Sequence, residues 1–587
     1  MILKALYDYY QRKLKLGEIP PLGFEDKAIP FLVLIDENGK LVALEDASSE
    51  SAKKGRVFRL PKAEGRSGKN AWMSPNLLWD HLGFVFGYSK SDSAKDAENA
   101  RNQSKAFAEK IIKLSEMYPN NKEFSAVRKF VENPNRLSEA EKQAEWAKCT
   151  KIAGCNVTFK VLGSKGIVAE HSDVADFLGK SMNVAGDGQK FVCLITGEKT
   201  VPVMTHGGFT IGATAGVKLV SFQTSSGYDS YYKEQGENAP VSLYAELAYT
   251  SALSSLLSSK TNRVGIGGLQ IVFWGDSEKS GIENVFGSLF GLPAKDNPDA
   301  WNSSISALYK SVFTGRKQIL DDGRFFVLGL DSNKARMIVR FFVADTEQKI
   351  GESIAAHFSD FEIIRKPSEH EFFSVFNILS SISQGNKIDN IPPNIEGSLI
   401  SAVLSGGMYP QTLRLQCLNR IRADRIINRI RAAILKAYLN RKNRILNNKE
   451  REIKVSLDIE NNDVGYLCGR LFAVLERIQE AALGKHINAT IVDRFYGSAS
   501  STPMLVFGRL IDLSNHNLSK MENRATVAFL KKAIGEIVDK MPSTGFPSHL
   551  SLDEQSRFAI GYYHQRQEFF KTKAENEKTE HKENNND

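Results

Sequence analysis

The stretch RLQCLNRIRADRIINRIRAAILKAYLNRKNR, residues 414–444, decides how the second half of this chain is expected to fold. Its apolar residues recur at spacings of three and four, which is the period of an α-helix with one buried face: Ile427, Ile430, Ile434 and Tyr438. Basic residues repeat at helical spacings on a different face: Arg422, Arg425, Arg429 and Lys436. The stretch therefore predicts an amphipathic helix that buries its apolar side in a bundle and turns its arginines outward.

Positive charge is concentrated in this stretch. Between Arg414 and Arg451 there are twelve Lys and Arg residues against Asp424 and Glu450, whereas the formal net charge of the whole chain is +9. Such a stripe is typical of proteins that bind a polyanion, usually nucleic acid, and guanidinium groups bind phosphate oxygens in pairs. We expect nucleic-acid contacts from these residues: Arg414, Arg422, Arg425, Arg429, Lys436 and Arg441. One alternative is a solvated basic helix without a partner. A helix lying on an anionic membrane is a second alternative, which is less favoured because the polar face lacks flanking Trp and Phe.

The segments upstream of this stretch predict strands. From about residue 155 to residue 345, runs of β-branched and aromatic residues are bounded by Gly, Asn or Asp: NVTFKVL, KFVCLIT, KLVSF, LQIVFW, FFVLGL and ARMIVRFFV. A helix is predicted to interrupt them at Leu243–Leu257. Two hairpins are expected, one turning at Glu37–Lys40, because Asn-Gly favours tight turns, and one at Asp331–Lys334.

These patterns predict an α+β protein, with a mixed α/β N-terminal region that contains antiparallel strands, followed by a C-terminal helical bundle. At 587 residues the chain is long for one domain. We expect an N-terminal basic-loop and helical region at 1–154, a mixed strand-rich region at 155–395 and the helical bundle at 396–570. Residues 571–587 contain almost nothing to bury and are expected to form a disordered tail.

The remaining composition narrows the class of protein. No run of about eighteen apolar residues is present, and the N-terminus MILKALYDYYQRK does not resemble a signal peptide. The chain is therefore expected to be cytoplasmic and to have no membrane partner. Its five cysteines are scattered without a CxxC pair, so reduced structural thiols are expected rather than a zinc site.

Signatures of catalysis are missing from the sequence. HExxH and GxSxG do not occur, Gly65–Asn70 departs from a phosphate-binding loop, and Gly265–Gly268 precedes a strand instead of opening a helix. We expect no catalytic residue, no bound metal and no cofactor. The alternative is a metal-dependent nuclease acting on DNA or RNA, because three carboxylates fall near strand ends: Asp276, Asp331 and Asp345.

Two further segments are candidates for binding a polyanion. Between Lys53 and Lys69 there are seven basic residues against Glu64 alone, and an adaptable glycine and polar side chains there could meet base edges. The expected contacts from this loop are Arg56, Arg59, Lys62, Arg66, Ser67, Lys69 and Asn70. The glycine-rich segment Thr205–Gly216 lets backbone amides approach a ligand closely, so Gly207 and Gly208 are candidates, although a turn between strands explains it equally well.

Long motifs throughout the chain resemble those of one known protein family. The early ones are RSGKNAWMSPNLLWDHLGFVFGY (66–88), CLITGE (193–198), KLVSFQTSSGYDSYYKEQGENAPVS (218–242) and VFWGD (272–276). The later ones are FFVLGLDSNKARMIVRFF (325–342), YPQTLRLQCLNRIRADRIINRIRAAILKAYLNR (409–441), YLCGRLFAVLERIQEAA (466–482), NATIVDRFYGSAS (488–500) and FAIGYYHQRQEFF (558–570). Together these motifs resemble the large subunit of the type I-C CRISPR surveillance complex, the Csd1 family. They occur in the order of that family and cover nearly all of the chain.

The resemblance implies a non-catalytic subunit. Its members sit at the 5′ end of the crRNA, recognise a protospacer-adjacent motif in target double-stranded DNA, help to open the duplex, and recruit the helicase–nuclease in antiviral defence. The implied partners also include the backbone and handle-binding subunits and a small subunit made from the C-terminal part of the chain, for which Met408 is one possible start. Gln223 joins Gly207 and Gly208 as a residue that could help to read or wedge the duplex. A protein-only assembly factor remains a further alternative.

Overall fold

The computed structural model describes residues 2–48, 55–64, 66, 68–91, 93–182, 188–212, 214–222, 231–277, 281–290, 305, 323–333, 336–387, 390–392, 394–447, 452–484 and 489–583. The chain divides into two compact units. Unit 1 comprises Met1–Gly208 and Lys218–Ser255, and unit 2 comprises Phe209–Val217 and Leu256–Asp587. The domain boundaries predicted at residues 154, 395 and 570 differ from the limits of these two units and stay predictions.

Unit 1 mixes short strands with helices. Its strands are β1 (Phe24–Ile29), β2 (Phe31–Ile35), β3 (Leu41–Asp46), β4 (Arg56–Pro61), β5 (Trp79–His81), β6 (Asn156–Val161), β7 (Phe191–Val192) and β8 (Lys199–Thr200). Its helices are α1 (Ile2–Lys15), α2 (Leu82–Phe86), α3 (Ala94–Met117), α4 (Lys122–Glu132), α5 (Arg136–Glu141), α6 (Trp146–Lys151) and α7 (Ser172–Met182), and α8 (Leu243–Ser258) begins here. Three 3-10 turns complete the unit: Gly68–Met73, Val168–Glu170 and Gln235–Asn238.

A four-stranded sheet in the order β3-β2-β6-β5 forms the centre of unit 1. Strand β2, FLVLI, is almost entirely buried and runs parallel to β6, as expected for a strand with helices packed over it. The predicted hairpin β2–β3 is confirmed. Asp36 Oδ1 accepts N–H bonds from Asn38 and Lys40 at 2.9 and 2.8 Å, and Gly39 supplies the φ of +77° that the turn requires.

The sheet of unit 2 is antiparallel wherever its pairing is described. Its strands are β9 (Gly208–Ile211), β10 (Thr214–Lys218), β11 (Arg263–Ile266), β12 (Leu269–Gly275), β13 (Arg324–Asn333) and β14 (Arg336–Thr346), in the order β11-β12-β13-β14-β10-β9. The predicted hairpin β13–β14 is confirmed, and its strand pairing continues to Asn333 and Arg336, past the start of the turn predicted at Asp331–Lys334. The strand predicted at KLVSF is wrong, since β10 ends at Lys218.

The described residues of unit 2 also form helices. They are α9 (Gly281–Phe290), α10 (Glu347–Phe361), α11 (Val375–Ser381), α12 (Ile395–Ser405), α13 (Gln411–Asp424), α14 (Arg429–Ile445), α15 (Val464–Leu483), α16 (Ile491–Ala499), α17 (Phe507–Lys520), α18 (Arg524–Val538) and α19 (Leu552–Glu583). Short 3-10 turns lie at Gln384–Asn386 and Pro503–Leu505. The predicted α+β class, with mixed sheets followed by a C-terminal helical region, is confirmed.

One helical feature differs from the sequence predictions. The basic stretch forms two helices instead of one, because Arg425 adopts a left-handed conformation (φ +59°) that ends α13, and the Asn428 side chain caps α14 by accepting the N–H of Arg431 at 3.1 Å. The backbone of α19 is helical through Glu583, whereas the disordered tail expected at residues 571–587 stays a prediction.

Glycines allow the closest helix crossing that we describe in unit 2. A Cβ added at Gly469 of α15 would lie 2.0 Å from the carbonyl oxygen of Phe558 on α19, and one at Gly561 would lie 2.3 Å from the carbonyl oxygen of Tyr466. The two backbones therefore touch at positions where a side chain would not fit. Among the described residues, no helix combines the length and the apolar run that crossing a bilayer requires.

Candidate nucleic-acid interface

Arg66 is held inside the N-terminal loop by a buried carboxylate. Strand β5 places Asp80 with its side chain fully buried, and both guanidinium Nη atoms of Arg66 donate to it, Nη1 to Oδ1 at 3.0 Å. Arg66 Nε also donates to the carbonyl of Ser74 at 2.8 Å, and the guanidinium carbon lies 4.1 Å from the centre of the Phe84 ring. The N–H donors of the Arg66 guanidinium group are thus used by other groups of the protein, so Arg66 positions the loop.

Further contacts fix both ends of the same loop. The Trp79 indole N–H donates to the carbonyl of Pro61 at 2.7 Å, and the backbone N–H of Glu64 donates to Asn76 Oδ1 at 2.9 Å. Lys110 on α3 bonds the carboxylate of Glu64 at 2.7 Å and the carbonyl of Pro75 at 2.8 Å. Between these anchors, the 3-10 turn Gly68–Met73 presents Asn70 to solvent. The loop is therefore a supported platform with an amide side chain at its tip.

The remaining predicted cations of this region occupy different surroundings. Arg56 and Arg59 lie on strand β4, which corrects the expectation that they belong to a loop. Arg59 pairs with Asp26 on β1, its register partner, at 3.2 Å, whereas Arg56 is exposed beside the Phe58 ring. Lys62 is exposed just after β4. Ser67, Gln223 and the side chain of Lys69 lie outside the described residues.

The glycine segment rests on a buried polar cluster of helix α8. The backbone N–H of Gly207 donates to Glu246 Oε1 at 2.7 Å, and the ring of His206 bonds the Tyr249 hydroxyl at 2.6 Å. Burial raises the pKa of Glu246, although the Gly207 N–H and the nearby Lys62 and Lys218 oppose it. Burial lowers the pKa of His206 to about 4. Gly208 is exposed at the start of β9, so the segment brings Lys62 and the two glycines into one region of unit 1.

Four of the six cations predicted in the basic stretch are buried, which corrects the expectation that they face solvent: Arg414, Arg429, Lys436 and Arg441. Arg441 Nε donates to Asp360 on α10 at 2.7 Å, and its Nη1 donates to the carbonyls of Ala402 and Gly407, both at 3.1 Å. Lys436 Nζ donates to the Asp360 carbonyl at 3.1 Å. Burial lowers the pKa of Lys436, while Asp360 acts in the opposite sense.

Arg414 and Arg429 are also engaged within unit 2. Arg414 forms an ion pair with Asp553, and its guanidinium lies 4.5 Å from the Tyr438 ring centre. Arg429 donates to the carbonyls of His370 and Glu371 at 2.5 and 2.9 Å and lies over the Phe373 ring. The donors of both guanidinium groups are thus used by a carboxylate and by carbonyls from distant parts of the chain, so these cations do not form a phosphate-binding face.

The arginines that remain accessible surround helix α16. Arg422 is half-buried and donates to Gln555, whereas Arg425 is exposed and a Cβ at Gly497 would lie 3.6 Å from its Nη1. Two exposed residues that the sequence reasoning missed lie close by: Arg494 on α16 and Arg509 on α17, whose guanidinium is 5.6 Å from the Phe495 ring centre. Within the described residues, Arg425, Arg494 and Arg509 form no ion pair. Arg494 and Arg509 are isolated from other basic residues in the sequence, so only Arg494 was signalled, by the motif NATIVDRFYGSAS.

The three carboxylates of the nuclease alternative do not converge. Asp345 pairs with Phe325 at one end of the β13–β14 hairpin and Asp331 pairs with Ile338 near the other, about 20 Å apart at the usual strand rise. Asp331 is bound to Arg340 at 2.5 Å, and Asp276 Oδ1 accepts the backbone N–H of Arg324 at 2.7 Å. In the described part of the chain, no three His, Cys, Asp or Glu side chains are grouped to hold a metal ion.

A family model described as CRISPR-associated protein (Cas_Csd1) matches residues 6–570. No curated protein matches the chain. The matched range includes the anchored loop, the glycine segment and the arginines around α16.

Proposed function

The chain belongs to the Csd1 family of CRISPR-associated proteins, and on that premise we propose that it is the non-catalytic large subunit of a type I-C CRISPR surveillance complex. In this role it recognises the protospacer-adjacent motif of target double-stranded DNA, helps to open the duplex and recruits the helicase–nuclease. Its further partners are the crRNA and the backbone, handle-binding and small subunits. Guide pairing reads the target sequence, so the protein needs to read only a short duplex segment.

The observation that carries this proposal is the anchored loop of unit 1. Direct readout needs a side chain with paired donor and acceptor, and the amide of Asn70 is exposed on a support fixed by Arg66, Trp79 and Lys110. Lys62 and Arg56 supply phosphate contacts beside it. Ser67, Lys69 and Gln223 are proposed to join this surface, together with the backbone at Gly207 and Gly208.

The helical region is proposed to bind the sugar–phosphate chain of a single strand or of the guide. Arg425, Arg494 and Arg509 suit this task because they are exposed and not engaged with carboxylates of the described chain. Arg422 stands at the edge of this group. The buried cations of α13 and α14 are proposed to support the surface from within.

A small subunit translated from an internal start is part of the proposal. A product beginning at Met408 would lack Asp360, which is the carboxylate that Arg441 and Arg444 bind in the whole chain. Such a product would need another partner for those cations or would present them to nucleic acid. Detection with a C-terminal tag, followed by sequencing of the N-terminus of any short product, tests this point.

The proposed function is tested by purifying the chain together with the products of its neighbouring genes and sequencing the bound RNA. The expected result is a stable assembly that contains crRNA with a common 5′ end and binds only targets carrying one adjacent motif. An assembly that forms without RNA, or that binds all matched targets equally, contradicts it. Incubation of the purified chain with Mg²⁺ or Mn²⁺ and labelled DNA or RNA is expected to give no cleavage; cleavage lost on Asp276→Asn or Asp345→Asn would favour a nuclease.

A further inference from the structure

Tyr231 and Tyr232 of unit 1 extend two aromatic rings almost completely into solvent. Tyr231 is 90% exposed and Tyr232 is fully exposed. Both have left-handed backbone conformations, with φ of +54° and +59°. A left-handed residue with a bulky side chain costs about 1 kcal/mol or more, and an exposed ring gains nothing from burial. Two unfavourable features at consecutive residues indicate that the segment is shaped for something other than folding.

The backbone that follows the two rings, residues 233–238, is held by several contacts. The N–H of Gly236 donates to the carbonyl of Met204 at 3.2 Å, and a Cβ at Gly236 would lie 1.8 Å from the carbonyl oxygen of Val203. The Asn238 amide donates to the carbonyls of Lys233 and Gln235, both at 3.2 Å. The backbone N–H of Glu234 is capped by Glu237 at 2.8 Å. The segment that directly follows the rings is therefore fixed against residues 203 and 204.

The segment 233–238 belongs to the same region of unit 1 as the proposed duplex contacts. Met204 and Val203, which hold Gly236, lead directly into His206 and Gly207. Gly207 bonds Glu246, whose carboxyl group feels the charges of both Lys62 and Lys218. Lys233 follows the tyrosine pair in the chain. The exposed aromatic rings therefore belong to the same region of unit 1 as Lys62, Lys218 and Lys233.

Flat aromatic rings beside cations are what single-stranded nucleic acids bind. Each base stacked on an aromatic side chain contributes about 1–3 kcal/mol, and every base has a face that can stack. Aromatic and apolar wedges at duplex steps also stabilise unstacked bases. A protein partner fits this site less well, because the residues that follow the rings are polar (Lys233, Glu234 and Gln235) and interface anchors usually stand at the centre of an apolar patch.

We propose that Tyr231 and Tyr232 form a stacking platform for unpaired nucleobases, on which the first bases released from an opening duplex come to rest. The inference rests on the proposed function, because it takes the surface around Gly207 to meet duplex DNA. It adds a site for the product of opening, an unpaired base, to the site that reads the closed duplex.

The experiment compares the full-length chain with its Tyr231→Ala/Tyr232→Gly variant. The ligands are a blunt duplex and a forked duplex with two unpaired 2-aminopurines at the junction, both at low ionic strength. The wild-type chain is expected to bind the fork more tightly and to quench the 2-aminopurine fluorescence by stacking. The variant is expected to lose tenfold or more of the preference for the fork and most of the quenching, while its affinity for the blunt duplex and its melting temperature are kept, since glycine suits the left-handed position at residue 232.

A Tyr231→Phe/Tyr232→Phe variant is the matched control, because it keeps both rings and loses both hydroxyl groups. It is expected to behave as the wild type. The proposal is overturned if quenching and fork preference survive the loss of both rings. It is also overturned if the variant without the rings keeps both signals but no longer co-purifies with the other subunits, since the rings then dock a protein. Quenching without discrimination of the adjacent motif agrees with the stacking platform but contradicts the proposed function. A wild-type chain that binds neither DNA contradicts both the platform and the proposed function.

Discussion

At the scale of single residues, an arginine in this protein takes its role from the carboxylates around it. Arg66 and Asn70 are four positions apart, but the guanidinium of Arg66 is bound to the buried Asp80, while the amide of Asn70 is exposed. The sequence identifies the loop correctly as basic and polar. It cannot distinguish the residue that supports the loop from the one at its surface, because Asp80 lies beyond the loop on strand β5.

The first prediction separates these two roles. Arg66→Ala leaves Asp80 buried without its partner, so we expect it to lower the free energy of unfolding by about 3 kcal/mol. Asn70→Ala removes only an exposed amide, so we expect a change in stability within about 0.5 kcal/mol but a loss of about 1–3 kcal/mol in discrimination between adjacent motifs. Urea denaturation and competition binding on a library of duplexes measure the two quantities. The opposite pattern, with Arg66→Ala folding normally and Asn70→Ala unstable, would show that the roles are reversed.

At the scale of elements, the basic stretch shows how a correct helical prediction can assign the wrong face to solvent. Spacing determines which residues share a face, but the partner of that face comes from elsewhere in the chain. Asp360 is 81 residues from Arg441, and the carbonyls bound by Arg429 come from residues 370 and 371. The helix break at Arg425 was also missed, because neither Gly nor Pro marks it.

Exposed and buried arginines are therefore expected to respond differently to substitution. Arg425→Gln, Arg494→Gln and Arg509→Gln should each reduce the slope of log K against log salt for single-stranded DNA by about 0.7, with little effect on stability. Arg441→Met, in contrast, leaves Asp360 without one of its cations and should cost about 3–5 kcal/mol of stability. Binding titrations at several salt concentrations, with thermal melting alongside, test both. If the triple Gln variant keeps the full slope, these arginines do not contact phosphate.

The crossing of α15 and α19 gives a second prediction for elements. Gly469→Ala would push a methyl group against the carbonyl oxygen of Phe558, so we expect a loss of at least about 1–3 kcal/mol. Gly535→Ala on α18 is the matched control, because its Cβ would meet nothing within 4 Å, and it should stabilise the helix by about 0.5–1 kcal/mol. Chemical denaturation of the two variants measures the difference. A stable Gly469→Ala protein would mean that the helices can separate at no cost.

At the scale of the whole molecule, local signals predicted more than distant pairings did. The hairpins at Asn38-Gly39 and at residues 324–346 follow from turn residues and strand patterns, and both form. The helix at α8 and the helical C-terminal region follow from periodicity. The two compact units, by contrast, depend on strands β9 and β10 joining a sheet built mainly from later residues, which no local pattern encodes. The candidate interface was likewise predicted as segments, and its contacts became clear only in three dimensions.

One motif occurs in each of the two units: a buried histidine whose Nδ1 forms a hydrogen bond with a tyrosine hydroxyl group. The pairs are His206–Tyr249 at 2.6 Å, His357–Tyr409 at 2.9 Å and His564–Tyr466 at 2.9 Å. In each pair, the histidine Nε2 is buried and has no hydrogen-bond partner among the described residues. Burial lowers the pKa of His206 to about 4 and that of His564 to about 3, and it lowers the pKa of His357 well below its ordinary value. All three histidines are therefore neutral in the folded chain.

These pairs predict a loss of stability in acid. A histidine whose pKa is lower in the folded chain takes up its proton more readily after unfolding, so its contribution is complete above pH 6.5 and is lost as the pH falls toward the folded value. We expect each of His206 and His564 to cost about 2 kcal/mol between pH 7.5 and pH 5. Glu246 and Glu476, whose pKa values are raised by burial, act in the opposite sense. The measurement is the free energy of unfolding against pH for the wild type and for His564→Gln, in which both glutamates are retained and their contribution cancels. The variant should lose about 2 kcal/mol less than the wild type over this range, and His206→Gln should do the same in unit 1; parallel curves would show that the buried histidines are not the acid-sensitive groups.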